Sequence, residues 1–225
     1  MNNSVTSSLR LLGAGLRALL VLTVLCGVLY PLAVTGIAQA AFNGNANGSE
    51  IKDKDGQVVG SALIGQSYNL PKQNPDDPEE AARPDLMWFQ PRLSKGLGSN
   101  SINTQYSLLL SGASNKAADN QDLLTWVTQA KDAVVADNST ASHRISPKDV
   151  PADAVTSSGS GLDPHISPEY AALQIHRVAE RNGLGVQQVE KLVADRTTGR
   201  TLGFMGEPRV NVLELNIALK ALTKG

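Results

Sequence analysis

The chain has 225 residues, 41% hydrophobic and 18% charged, which is the composition of a folded protein rather than a disordered one. A net charge of −1 and an aromatic share of 4% exclude a nucleic-acid surface, which needs a basic field and stacking rings. The one cysteine, Cys26, lies within an apolar stretch, so no intramolecular disulfide staples the fold.

From Ala18 to Ala38 the sequence ALLVLTVLCGVLYPLAVTGIA carries no charge. As a helix it covers roughly 30 Å, the thickness of a hydrocarbon core, and a helix satisfies its own backbone groups in lipid. A transmembrane helix is therefore expected over 18–38, behind a short N-terminus over 1–17. Arg10 and Arg17 precede the span with no acid before it, and the first charges beyond are Glu50, Lys52 and Asp53, distant and mixed in sign. The positive-inside bias places the N-terminus in the cytoplasm and the bulk of the chain outside. Pro31 predicts a kink, and Gly13, Gly15 and Gly27 permit close packing of helices. A rival reading is a cleaved signal peptide, because Ala38-Gln39-Ala40 has the small-x-small form of a cleavage site. The apolar run exceeds the about 7–15 residues usual for such peptides, which favours the anchor.

Residues 39–49 are polar and Gly/Asn-rich and read as a linker. In IKDKDGQVVGSALIGQ, the Asp55-Gly56 turn pair separates two strand-like runs, predicting a β-hairpin. The stretch over 71–84 carries Pro71, Pro75, Pro78 and Pro84 among acids and reads as an exposed insertion. Leu86–Gln90, bounded by Pro84 and Pro91, is a candidate buried strand, and a Gly/Ser/Asn-rich region runs on through Asn115.

Helical periodicity begins after a cap at Asp119 or Asn120, with Leu123, Leu124, Val127, Ala130 and Val134 on one face. Ser146–Val155 reads as a second linker with strand character. Ser167 and Pro168 form an N-cap and first turn, Ala171, Ala172, Ile175, Val178 and Ala179 a buried face, and Asn182-Gly183 a stop. Val186, Val189, Leu192 and Val193 mark a further helix, and Val212, Leu215, Leu219 and Leu222 a last one. The expected fold is α+β: one N-terminal transmembrane helix, then a single extracytoplasmic domain over 50–225 with early strands and late helices.

Chemical templates fail on this sequence. No glycine-rich loop is followed by Lys-Ser or Lys-Thr at phosphate-binding spacing, and no G-x-S-x-G elbow exists. The three histidines have no metal-ligand spacing. Ser160, Asp163 and His165 include the residue types of a triad, but triad members converge from separate elements, so adjacency favours a capped turn.

TSSGSGLDPHISPEYAALQIHRVAERNGL, over 156–184, resembles the C subunit of the Kdp-type potassium-transporting P-type ATPase of bacteria and archaea. Colinear matches lie at Tyr30-Pro31-Leu32, at GSALIGQ over 60–66 and at GEPRVNVL over 206–213. WFQPRLS over 88–94 departs in lacking Pro after Arg92, and SGASN over 111–115 has Ala113 where a second Gly is usual.

The resemblance implies a single-pass accessory subunit of the bacterial inner membrane. Its partners would be a channel-like potassium-translocating subunit, the ATP-hydrolysing P-type subunit, a very small membrane peptide and the lipid bilayer. It also implies a catalytic chaperone that raises the pump's apparent ATP affinity. Cytoplasmic ATP faces only residues 1–17, which hold no nucleotide motif, so ATP is expected to be felt through the complex by linkage. The candidate docking or structural residues are Gly27, Tyr30 and Pro31 in the anchor and Ser160, Gly161, Leu162, Asp163 and Pro164 in the turn before Ser167. The competing functions are a membrane-anchored hydrolase built on Ser160 or Ser114, and a secreted binding protein released after Ala40.

Overall fold

A computed structural model describes residues 3–74, 76, 77, 80–94, 98, 99 and 109–223. The insertion's Pro75, Pro78 and Glu79, and most of the Gly/Ser/Asn-rich region, lie outside the described residues. Contacts divide the chain into two compact units, residues 1–50 and 51–225.

The described part of the first unit is mostly helical. Helix α1 (Asn3–Val24) passes through a π-helical turn (Leu25–Leu29) into α2 (Tyr30–Ala41), and a short α3 (Asn43–Ala46) follows. Val5–Ala41 is long and apolar enough to cross a membrane, and none of it is buried within the protein. Such a helix is at home only where its surroundings are apolar. Its 37 residues extend about 55 Å, so it outruns a hydrocarbon core of roughly 30 Å.

The π-turn explains how Pro31 is accommodated. Proline has no N–H to donate and its ring crowds the carbonyl four residues back, that of Gly27. Shifting the register by one residue just before it relieves both, and Tyr30 N–H accordingly donates to the Leu25 carbonyl. The expected kink is thus a register change that includes Gly27. Where the sequence suggested an irregular linker, Gln39, Asn43 and Asn47 form a side-chain amide cluster: Asn43 Nδ2 donates to Gln39 Oε1 at 3.1 Å and Gln39 Nε2 to Asn47 Oδ1 at 3.2 Å. Ala40 lies inside α2.

The second unit opens with the expected hairpin, β1 (Glu50–Lys52) paired with β2 (Val58–Ser61). Asp53 organises its turn, its Oδ1 accepting from the N–H groups of Asp55 and Gln57. The described part of the acidic insertion is largely exposed and closed at its base by an Asn69–Pro84 bridge. Two backbone N–H groups, of Gln73 and Asn74, donate to Glu80 and hold its carboxyl below the usual range. Strands β3 (Gly98–Ser99) and β4 (Leu109–Leu110) pair antiparallel.

Helix α4 (Gln121–Asn138) is capped by Asn120, whose side chain accepts from Asp122 and Leu123 N–H. Ser146–Val155 contains no strand; Pro151 instead leads into the short helix α5 (Ala152–Val155). After β5 (His165–Ile166) comes the central helix α6 (Pro168–Asn182), capped by Ser167 and stopped at Gly183 in the left-handed conformation. Helix α7 (Val186–Asp195), β6 (Thr197–Thr198), β7 (Arg209–Asn211) and α8 (Val212–Thr223) complete the chain. A three-stranded antiparallel sheet of order β5-β7-β6 sits among these late helices. Helix α6 contacts α4, α7 and β7, and α8 contacts α7 and β7. Val178, Val189, Val210, Leu215 and Leu219 are fully enclosed between them.

Leu86–Gln90 is not a strand. Asp85 bends the chain, its Oδ1 accepting from Met87 N–H and its carbonyl from Trp88 N–H, yet Phe89 beyond is completely buried. A buried backbone without a strand partner must be satisfied by side chains. Asn216 of α8 accepts from Phe89 N–H at 2.9 Å and donates to its carbonyl at 2.9 Å. Gln174 of α6 does the same for Gln90, at 2.7 and 3.1 Å. Asn182 donates to the Met87 carbonyl at 2.8 Å, and Arg177 donates to the carbonyls of Trp88 and Leu86. Four helix side chains thus replace a β-ladder.

Candidate functional site

The turn over Ser158–Pro164 is where distant parts of the chain meet. Gly161 takes φ 69°, a conformation a side chain disfavours, and its N–H donates to the Ser158 carbonyl at 3.2 Å. The Ser160 carbonyl accepts from Gly112 N–H and from Ser111 Oγ, both at 3.0 Å. The Leu162 carbonyl accepts from Gly65 N–H at 2.8 Å. A Cβ on Gly65 would lie 2.7 Å from the Asp163 carbonyl oxygen, so only glycine allows the hairpin this approach. Arg92 pairs with Asp163 at 3.1 Å, and Val212 N–H donates to the Pro164 carbonyl at 3.0 Å. Asn211 donates to the Ala62 carbonyl at 2.9 Å, tying β7 back to the first hairpin.

Five sequence segments that resemble one family, GSALIGQ, WFQPRLS, SGASN, SGSGLDPHIS and GEPRVNVL, therefore converge on one turn. Ser160, Gly161, Leu162, Asp163 and Pro164 lie together there, while Gly27, Tyr30 and Pro31 belong to the anchor unit. The turn's side-chain oxygens are occupied. Ser160 Oγ accepts from Leu162 N–H at 3.1 Å and lies 3.3 Å from Ser158 Oγ. Asp163 Oδ1 accepts from His165 N–H at 3.0 Å and faces His165 Nδ1 at 3.3 Å. Among the described residues no hydrogen bond joins Ser160 to His165, so the carboxylate–imidazole contact is not extended to a nucleophile. Asp153 of α5 accepts from Ser167 N–H and Ser167 Oγ, fixing the α6 N-terminus beside the turn.

Leu63 and Ile64, at the edge of this convergence, are 63% and 48% exposed. Sequence reading named their motif without singling them out. Arg92, named there only for the proline missing after it, bonds Asp163 through Nη1, and among the described residues its buried Nε has no hydrogen-bond partner.

Behind the turn lies a polar cluster in the core. Arg177 is 2% exposed, and its Nε donates to Asn138 Oδ1 at 2.9 Å. Burial lowers its pKa to about 10, against the opposing pull of Tyr170 and Asp137. Burial likewise pushes the Tyr170 phenol up to about 12 and raises the Asp137 carboxyl. The cluster's hydrogen bonds hold backbone, which marks it as structural. Among the described residues no group of His, Cys, Asp and Glu side chains is arranged to hold a metal ion.

The family model described as K+-transporting ATPase, c chain, matches residues 12–221. A potassium-transporting ATPase KdpC subunit of Streptomyces avermitilis is 70% identical over 99% of this chain and 98% of its own length. Proteins of the same name from Streptomyces coelicolor and Kineococcus radiotolerans are 65% and 44% identical, covering 99% and 98% of this chain and 97% and 98% of their own lengths. With one N-terminal apolar helix that fits a single-pass membrane subunit, and a mixed α+β domain after it, the chain belongs to the KdpC family of potassium-transporting ATPase subunits.

Proposed function

We propose that the chain is a non-catalytic subunit that assembles and stabilises the potassium-uptake pump from the extracytoplasmic side of a bacterial inner membrane. One observation carries this reading: the family-like segments meet at a turn whose side-chain oxygens are consumed in holding its shape, while Leu63 and Ile64 project from its edge. A rigid, internally satisfied frame presenting apolar side chains suits docking rather than bond chemistry. The partners are the channel-like potassium-translocating subunit, the ATP-hydrolysing P-type subunit and the small membrane peptide. The anchor contributes a shaped helix face around Gly27, Tyr30 and Pro31, and its flanking arginines orient it with the N-terminus in the cytoplasm.

The effect on ATP follows by linkage. A subunit that binds more tightly to one conformation of the pump shifts ATP affinity without touching ATP. The test is co-purification. Leu63→Asp with Ile64→Asp changes only exposed side chains, so the chain should insert and fold normally but recover markedly less of the other subunits from detergent. Undiminished recovery would overturn the docking assignment.

A further inference from the structure

Beyond the docking turn, the β6–β7 hairpin carries a second feature. Its tip exposes Leu202, Phe204 and Met205 at 79%, 70% and 52%. Three large apolar side chains in adjoining positions are not the ordinary scatter of surface hydrophobics. The tip is built rather than loose. Thr201 and Met205 exchange both backbone hydrogen bonds at 2.9 Å, Gly203 N–H donates to the Arg200 carbonyl at 3.1 Å, and Phe204 N–H donates to the Thr201 carbonyl at 3.3 Å. Below it, Arg200 and Glu207 pair across the stem at 2.6 Å.

We propose that this tip inserts Leu202, Phe204 and Met205 into the interfacial layer of an anionic lipid bilayer, giving the domain a second point of membrane attachment. Lipid forbids unsatisfied backbone donors, and the tip has closed its N–H groups at 201, 203, 204 and 205 upon itself. Charge fits as well. Over 196–209, Arg196, Arg200 and Arg209 stand against the single carboxylate of Glu207, which Arg200 already neutralises, so the stem offers cations at headgroup depth. The bilayer is also the one apolar phase that the chain brings within reach through its own anchor, which raises its effective concentration at the domain. A protein cleft would have to supply apolar walls and an acidic rim together.

The test uses the full chain in nanodiscs of mixed phosphatidylcholine and phosphatidylglycerol. In a Cys26→Ala background, spin labels are placed at Leu202→Cys or Phe204→Cys, with Gln187→Cys on the exposed face of α7 as a reference. Accessibility to oxygen and to a water-soluble nickel chelate is then compared. The tip labels should favour oxygen over nickel by several-fold relative to position 187, and this preference should shrink in discs of phosphatidylcholine alone. Tip labels as open to nickel as position 187 would overturn the proposal. So would tip labels that become protected from both reagents only when the other pump subunits are added, because the tip would then be a protein contact.

Discussion

Replacing Asn216 by Leu tests whether side chains truly stand in for a strand partner at Phe89. Asn216 is 2% exposed and makes two hydrogen bonds of 2.9 Å to one residue, 127 positions away. Leucine has the same branched heavy-atom skeleton but is bulkier, so the change opens no cavity, adds some crowding and strands the Phe89 N–H and carbonyl in a dry site. Each buried group left unsatisfied costs about 1–3 kcal/mol, giving about 2–5 kcal/mol for the pair after some relaxation. Asn216→Asp keeps the acceptor for the N–H but sets a carboxylate against the Phe89 carbonyl, so it should cost at least as much at neutral pH and recover on acidification. Urea unfolding of the full chain in detergent, followed by the fluorescence of neighbouring Trp88, reads both variants while the apolar helix stays in the micelle. A loss below about 0.5 kcal/mol for Asn216→Leu would refute the reasoning, since that is the cost of an ordinary surface change.

Gly65→Ala places a methyl against the Asp163 carbonyl and should lower stability by about 1–3 kcal/mol in the same assay. Asp137 has a raised carboxyl pKa because burial outweighs the attraction of Arg177, so its ionised form opposes folding. Stability should therefore rise as pH falls toward the ordinary carboxylate range, and Asp137→Asn should remove that slope without lowering stability at neutral pH. Exchanging the anchor for an unrelated straight apolar helix of equal length should weaken co-purification of the pump, because it erases the π-turn at Leu25–Leu29. Equilibrium titration of the chain with ATP should show no saturable micromolar binding, and one-to-one binding abolished by changes in the Gly159–Ser167 turn would contradict the indirect route.

Local rules made several elements legible in the sequence. Asn120 and Ser167 cap helices because short polar side chains reach the first free N–H groups, and Asp55-Gly56 turns a hairpin because glycine takes its positive φ. The anchor declared itself by length and lack of charge. What stayed hidden depends on contacts across long sequence separations. Leu86–Gln90 has the apolar content of a strand, but its hydrogen bonds run to side chains on α6 and α8 rather than to a neighbouring strand. A signal did exist: Asn216 stands four residues after Val212 and three before Leu219, and Gln174 three after Ala171, so both are amides at core spacing. Strands β5, β6 and β7 are too short to show any period, and β7 runs directly into α8. The residues of the turn before Ser167 were legible only by resemblance. Their convergence with Gly65, Arg92 and Gly112 needed the fold.

The central claim is that the pump needs this chain through protein contacts outside the membrane, and potassium-stimulated ATP hydrolysis tests it most directly. The other subunits, purified together without this chain and reconstituted in lipid, should hydrolyse ATP with little response to potassium. Adding the full chain should restore the response, whereas a chain cut after Ser49, which keeps only the anchor, should not. A full potassium response without the chain, or one restored by the anchor alone, would contradict the account.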